Sequence, residues 1–325
     1  MKKVWLSLTA ITTSMLMPNC FAESQSVIIY GKANLTLNKI EEQSRSTNVD
    51  EWQLNSNASR LGVKGKYEIS DNLNAIFKME YEVHIDDGSS SSSKGSDTFE
   101  QRNIYAGLEG SFGTLIAGKH DTPLKMAQGK IDRFNDQVLG DIKNYMEGED
   151  RSSNIVMYTT PSASGFQATV AMIPGEDSKG SSGNDGPADG TSISVSYKND
   201  WIVAAVARND DVDSQDVTRI AADFSLGDSS VGIIWQDAKK IDGSSEEDSL
   251  LISGQHTFND GWIIKAQLGS TDYSNDNEDT QMSIGVDKKL NKKAKIFAYY
   301  SVVERDRNSS SDDDSSLAIG YEIKF

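Results

Sequence analysis

The sequence predicts an all-β fold, a sixteen-stranded antiparallel transmembrane β-barrel. Three observations carry this. Segments of about ten residues alternate apolar and polar positions along most of the chain. No stretch after residue 22 keeps a helical period for three turns. The connections switch regularly between tight turns and longer polar segments, as in barrels that cross a membrane with short turns at one end and long loops at the other.

The first 22 residues stand outside the pattern. Lys2 and Lys3 precede an apolar run from Val4 to Met17, and Cys20, Phe21 and Ala22 offer small residues at the positions a signal peptidase reads. This predicts a secretory signal peptide over 1–22 that is cut after Ala22, leaving residues 23–325 as one barrel domain. The run is too short for a spanning helix. Cleavage removes Cys20, the one cysteine, and with Lys2 and Lys3 it takes the formal net charge from −17 to −19.

The strands follow in order. "VIIYGKANLTL" sets Val27, Ile29, Ala33, Leu35 and Leu37 against Lys32, Asn34 and Thr36, and "RLGVKGKYEI" sets Leu61, Val63, Tyr67 and Ile69 against Arg60, Lys64, Lys66 and Glu68. "LNAIFKMEYEV", "TSISVSYK", "TQMSIGVDKKL" and "KIFAYYSV" repeat the alternation. Tight-turn chemistry appears at "SDN", "GSFG", "PSASG", "KND", "GDSS", "NDG" and "NKK". Seven such turns and eight polar loops join sixteen strands, with both chain ends on the short-turn side. Clusters such as "NDNEDT" and "SDDDSS" are read as solvated loop.

A soluble β-sandwich also alternates, but nothing in it makes loop length switch between ends. In lipid every backbone polar group must be paired, so the barrel has to close. The closing strand is "SLAIGYEIKF", with Leu317, Ile319, Tyr321, Ile323 and Phe325 on one face, and its expected partner is the first strand. Phe112, Phe258, Trp262 and Phe325 lie beside the short turns, where they form an interfacial girdle.

Composition excludes several functions. An acidic chain lacks the Lys and Arg clusters that phosphate backbones demand, so no nucleic-acid partner is expected. His84, His120 and His256 show no spacing that brings two onto one metal, and the acidic clusters lack the spacing of a calcium loop. No cofactor, metal site or enzymatic activity is expected.

Several stretches resemble the general, non-specific porins of Gram-negative bacteria, in the group that holds the neisserial and gammaproteobacterial members. They are "SVIIYGKANLTL", "SRLGVKGKYEISDNLNAIFKMEYEV", "RNIYAGLEGSFGTLIAGKHDTPL", "SNIVMYTTPSASGFQATVAMIP" and "IGYEIKF". The resemblance implies a homotrimer in the outer membrane, embedded in lipid and lipopolysaccharide, with the third loop folded into the lumen as a constriction. Residues 120–154 correspond to that loop. The family pattern then sets acidic candidates Asp132, Asp136, Asp141, Glu147 and Glu149 on the loop against basic candidates Lys32, Arg60, Lys64, Lys66 and Lys78 on the wall. The implied activity is passive diffusion of ions and small hydrophilic solutes, and the net charge of −19 adds an expectation of modest cation preference that weakens as salt rises. A solute-specific channel and a barrel serving as adhesin or receptor are the alternatives.

Overall fold

A computed structural model describes residues 26–43, 48–87, 98–175, 186–308 and 310–325. The expected signal peptide lies outside the described residues. Seventeen strand segments follow one another: β1 (Ser26–Gln43), β2 (Asn48–Ser56), β3 (Arg60–Ser70), β4 (Leu73–Val83), β5 (Phe99–Gly110), β6 (Gly113–Asp121), β7 (Arg151–Thr159), β8 (Phe166–Ile173) and β9 (Gly190–Lys198). The second half adds β10 (Ile202–Val212), β11 (Gln215–Leu226), β12 (Ser229–Lys240), β13 (Glu246–Thr257), β14 (Trp262–Tyr273), β15 (Glu278–Lys289), β16 (Ala294–Arg307) and β17 (Ser310–Lys324). Between β6 and β7 lie a short helix, α1 (Pro123–Ala127), and a 3₁₀ turn, Ile142–Asn144.

Every neighbouring pair is antiparallel, and β17 pairs with β1 from Lys32–Lys324 to Glu42–Asp314, so the sheet closes on itself. Gly31 and Phe325 exchange two backbone hydrogen bonds at the seam, 3.2 and 3.1 Å. The closing strand therefore meets the first, as expected. β2 and β3 both pair with β1 and form one barrel strand interrupted at 57–59, which leaves sixteen strands around the barrel.

That interruption reverses the side-chain alternation. Before it Trp52 and Leu54 are exposed; after it Leu61 is. Even positions thus face outward on β2 and odd ones on β3, because Ala58 at φ 47° inserts one residue out of step. The freed backbone is satisfied locally: Asn57 N–H donates to Asn34 C=O at 2.8 Å and Asn34 N–H to Ser59 Oγ at 2.9 Å.

One face carries the apolar band, with Val206, Ile220, Ile252, Ile264, Leu268, Ile284 and Ile319 all exposed. The other face is polar and buried, with Asn34, Thr36, Arg219, Gln236, Gln267 and Gln281 at 0–3% exposure. Water inside and lipid outside would each find the surface it solvates. The four girdle aromatics are exposed at the short-turn end, where Trp201 and Phe166 join them.

The expected loop pattern needs correcting. Beyond β10 the connections opposite the short turns are themselves tight among the described residues: 213–214 between β10 and β11, 241–245 between β12 and β13, and 274–277 between β14 and β15. "SDDDSS" lies within β17, and the acids of "NDNEDT" continue from a turn into β15. Acidic strand ends can run past the apolar band and stay in the ladder, since a strand surrounded by water needs no apolar face. One consequence is a row of directly opposed acids, Asp237–Asp248–Asp272–Glu278–Asp306, across five strands.

Candidate functional site

Residues 122–150 form the long connection between β6 and β7, and sequence chemistry fixes their shape. Thr122 caps α1 by accepting from Lys125 N–H, with Pro123 at the first helical position, where its missing N–H costs nothing. Asp141 caps the 3₁₀ turn through Lys143 N–H at 3.0 Å and accepts from Asp136 N–H at 2.9 Å. Asp132 accepts from Phe134 and Ile142 N–H at 3.0 and 3.1 Å. Burial and the neighbouring Asp141 push the Asp132 carboxyl well above the usual range. These two acids fold the segment onto itself.

The segment is fastened to the buried face of β10–β17 by inserted side chains. Ile131, Tyr145 and Phe134 occupy the space above Gly232, Gly269 and Gly285, where an added Cβ would overlap them. The Phe134 ring also takes the Lys265 ammonium 4.5 Å from its centroid. Polar ties surround these contacts. Ser253 Oγ donates to Ile131 C=O at 2.6 Å, Gln281 Nε2 to Gly140 C=O at 2.6 Å, and Lys265 Nζ to Arg133 C=O at 3.0 Å. Arg219, fully buried, pairs with Glu149 at 2.8 Å and donates to Glu147 C=O at 3.1 Å. Burial raises the Glu149 carboxyl despite Arg219 and Lys125 beside it. Asp150, half-buried near Asp213 and Glu149, is pushed up to about 6 by desolvation and by those neighbouring acids.

On the opposite wall stand charges. Asp136 lies 2.9 Å from both Lys32 Nζ and Arg60 Nη2. Burial alone would raise its carboxyl, but Lys32 and Arg60 outweigh that and hold it below the usual range. Lys78 meets Glu80 at 3.2 Å, and Arg102 meets Glu80 at 3.3 Å and Glu82 at 2.6 Å. Nearby, Arg151 pairs with Asp121 at 2.9 Å. A cavity of about 510 Å³ is lined by Arg60, Glu82, Arg102, Asp121, Asp136 and Arg151 among others.

The ten sequence-predicted site residues therefore part company. Lys32, Arg60 and Asp136 come together, and Lys78 joins them through Glu80. Glu149 faces Arg219 and Lys125, neither of which was among the candidates. Asp132 and Asp141 spend their oxygens on backbone amides, and Glu147 is exposed, contributing its main chain. Lys64 lies 5.5 Å over the Tyr30 ring and Lys66 pairs with Glu109 at 2.5 Å, away from the acidic segment. Arg102, Glu80 and Glu82 were missed. β4 and β5 lose register between Met79–Ile104 and Tyr81–Gln101, so β5 gains a residue and Arg102 turns onto the charged face out of its alternation.

A sequence model of the family described as Gram-negative porin matches residues 8–308. The major outer membrane protein P.IA of Neisseria meningitidis serogroup B is 30% identical over 123 residues, 37% of this chain and 30% of that protein. The P.IB protein of Neisseria sicca is 31% identical over 180 residues, 52% of this chain and 46% of that protein. The chain thus spans less than half the length of these curated relatives. Among solved structures, the anion-selective porin from Comamonas acidovorans superposes with a TM-score of 0.76 at 18% identity, covering 93% of this chain and all of that one. OmpT, an outer membrane protein of Vibrio cholerae, gives 0.70 at 15% identity over 94% of this chain and 99% of that one. At such identities the likeness is one of fold.

Proposed function

Because the chain belongs to the Gram-negative porin family, and its closed barrel accordingly spans the outer membrane, we propose that it is a general diffusion porin. It passes ions and small hydrophilic solutes through a water-filled lumen. The observation that carries this is the division of the barrel into an exposed apolar face and a polar, charge-lined one. Residues 122–150 form the constriction, a reading supported by their ties to the buried face on β10–β17 and, through Asp136, to the basic wall. The eyelet is then bounded by Asp136 and the basic cluster, with Glu149 holding the loop's far end. Solutes are sorted there by size and by the charges they pass at contact distance.

Assembly as a homotrimer belongs to the same reading. It is supported by a trimer form of the OmpT relative from Vibrio cholerae. The apolar band meets lipid, and lipopolysaccharide surrounds the acidic strand ends.

Single-channel recording in a planar bilayer tests the function. Purified protein gives large, steady, ohmic currents, and removing residues 126–146 enlarges them while the barrel stays assembled. Absence of current from folded protein would overturn the channel reading in favour of an adhesin or receptor. Saturation of the current by one solute would favour a specific channel.

A further inference from the structure

Glu80 projects from β4 into the basic wall at the point where β4 and β5 lose register. Its side chain is 5% exposed. Oε2 accepts a hydrogen bond from Tyr30 Oη at 2.8 Å and lies 3.2 Å from Lys78 Nζ. Oε1 lies 3.3 Å from Arg102 Nε and 3.8 Å from Arg60 Nη1. One carboxylate thus touches three of the four wall bases. The fourth, Lys32, is met by Asp136 at 2.9 Å and by Glu322 at 4.0 Å, and Glu82 takes the other side of Arg102.

Four bases (Lys32, Arg60, Lys78 and Arg102) are therefore matched by four carboxylates (Glu80, Glu82, Asp136 and Glu322) within 4.0 Å. A bare cluster of four cations would draw anions and repel cations at contact range. A compensated one presents alternating charge with little net field. Only Asp136 of these acids comes from the connecting segment, so most of the cancellation is built into the wall itself. The bulge enlarges the cluster that must be cancelled: by turning Arg102 onto the charged face it gives Glu80 a third basic neighbour, on the adjacent strand.

We propose that Glu80 is a specificity-determining residue: a countercharge embedded in the wall that cancels the basic cluster and sets the ion selectivity of the pore. This rests on the diffusion-porin reading. Left uncompensated, these four bases would make the wall an anion filter, and Glu80 prevents that from within. Its burial keeps it out of the permeation path, so it acts on ions through the field it removes from Lys78, Arg60 and Arg102.

Reversal potentials across a potassium chloride gradient, measured with the full-length protein in planar bilayers, test the idea. Glu80→Gln moves the permeability ratio roughly threefold toward chloride, the size of effect one uncompensated charge exerts several ångströms away in water. The shift is largest in dilute salt and shrinks near molar salt, where the Debye length falls to about 3 Å. Tyr30→Phe, which removes the hydrogen bond and leaves the charge, keeps the ratio unchanged. If Glu80→Gln does not assemble, Lys78→Met/Glu80→Gln is compared with Lys78→Met and must differ from it in the same direction. An assembled Glu80→Gln channel with the parent's reversal potential would overturn the proposal, and so would failure of both Gln variants to assemble, which makes Glu80 a structural tie. Loss of conductance in the unmodified protein would instead sink the porin reading.

Discussion

Asp136 Oδ2 stands 2.9 Å from Lys32 Nζ, although 104 residues separate the two in sequence. Asp136 adopts φ 66°, a left-handed backbone that few non-glycine residues take, and the ion pairs to Lys32 and Arg60 hold it there. This is the contact through which the β6–β7 connection reaches the basic wall.

Asp136 and Asp132 should therefore behave differently when neutralised. Asp136→Asn frees Lys32 and Arg60 and moves selectivity toward anions, read as a change in reversal potential. Asp132→Asn leaves selectivity nearly unchanged, since its carboxyl serves backbone amides and burial favours its protonated form. It loosens the segment instead, at a cost of about 1–3 kcal/mol for a buried hydrogen-bonded group, seen as noisier current. Equal selectivity shifts from both would contradict the assignment.

Selectivity should also resist acid. Because Lys32 and Arg60 hold the Asp136 carboxyl below the usual range, it stays charged as pH falls from 7 to about 4, and its contribution is lost only on further acidification. Reversal potentials that drift between pH 7 and 5 in proportion to Asp136 protonation would count against this.

Asp150 predicts the opposite trend in stability. Its folded-state value of about 6 lies above the unfolded value of about 4, so the native state binds the proton more tightly. Stability from this group is full below about pH 4, declines as pH rises, and is lost above about 6, an effect of at most ~2–3 kcal/mol. Thermal unfolding in detergent should show a higher midpoint at pH 5 than at pH 7.5, and Asp150→Asn should remove most of the difference. A difference that survives the substitution would place its origin elsewhere.

Gly269 gives a steric test. A side chain there would overlap the Tyr145 ring, so Gly269→Val expels that ring and undocks the segment from β14. The barrel ladder does not depend on Tyr145, so the variant should assemble and show larger, less steady conductance. A parental conductance would show that the ring repacks in place.

The opposed acids at the strand ends should yield stability when one is removed. Asp248 faces Asp237 and Asp272 directly, and like charges so placed destabilise a sheet by about 0.2–1 kcal/mol per pair. Asp248→Asn should raise resistance to denaturation at low salt, with the gain shrinking at high salt as screening takes over. A loss of stability at low salt would reverse the assignment.

The alternating face of Leu317 to Phe325 was enough to predict both the outward apolar surface and the closing pair with β1, because side-chain period and hydrogen-bond satisfaction in lipid are local demands. Arg60 lay in a recognisable motif and reached its place. Arg102 did not show itself, since a single residue out of step on β5 reverses the alternation and nothing in the side-chain types announces it; Glu80 shares the face of Lys78 by plain alternation on β4, and what the sequence did not reveal was its basic neighbours on other strands. Arg219 was hidden for another reason: an arginine amid Thr218 and Ile220 reads as any polar-face residue until Glu149 arrives from 70 positions away.

The sequence by itself determined the strands, the exposed apolar band and the family, all of which rest on periodicity and nearby residues. Tertiary structure alone decided which charges meet. Ion pairs form over distances of 3–4 Å between side chains as far apart in sequence as Lys32 and Glu322, and the partners are chosen by the barrel register, by irregularities at Ala58 and Arg102, and by the glycine spaces that seat Ile131, Phe134 and Tyr145. A shift of one residue anywhere along that path would turn a base from the water to the lipid, and no local pattern records it.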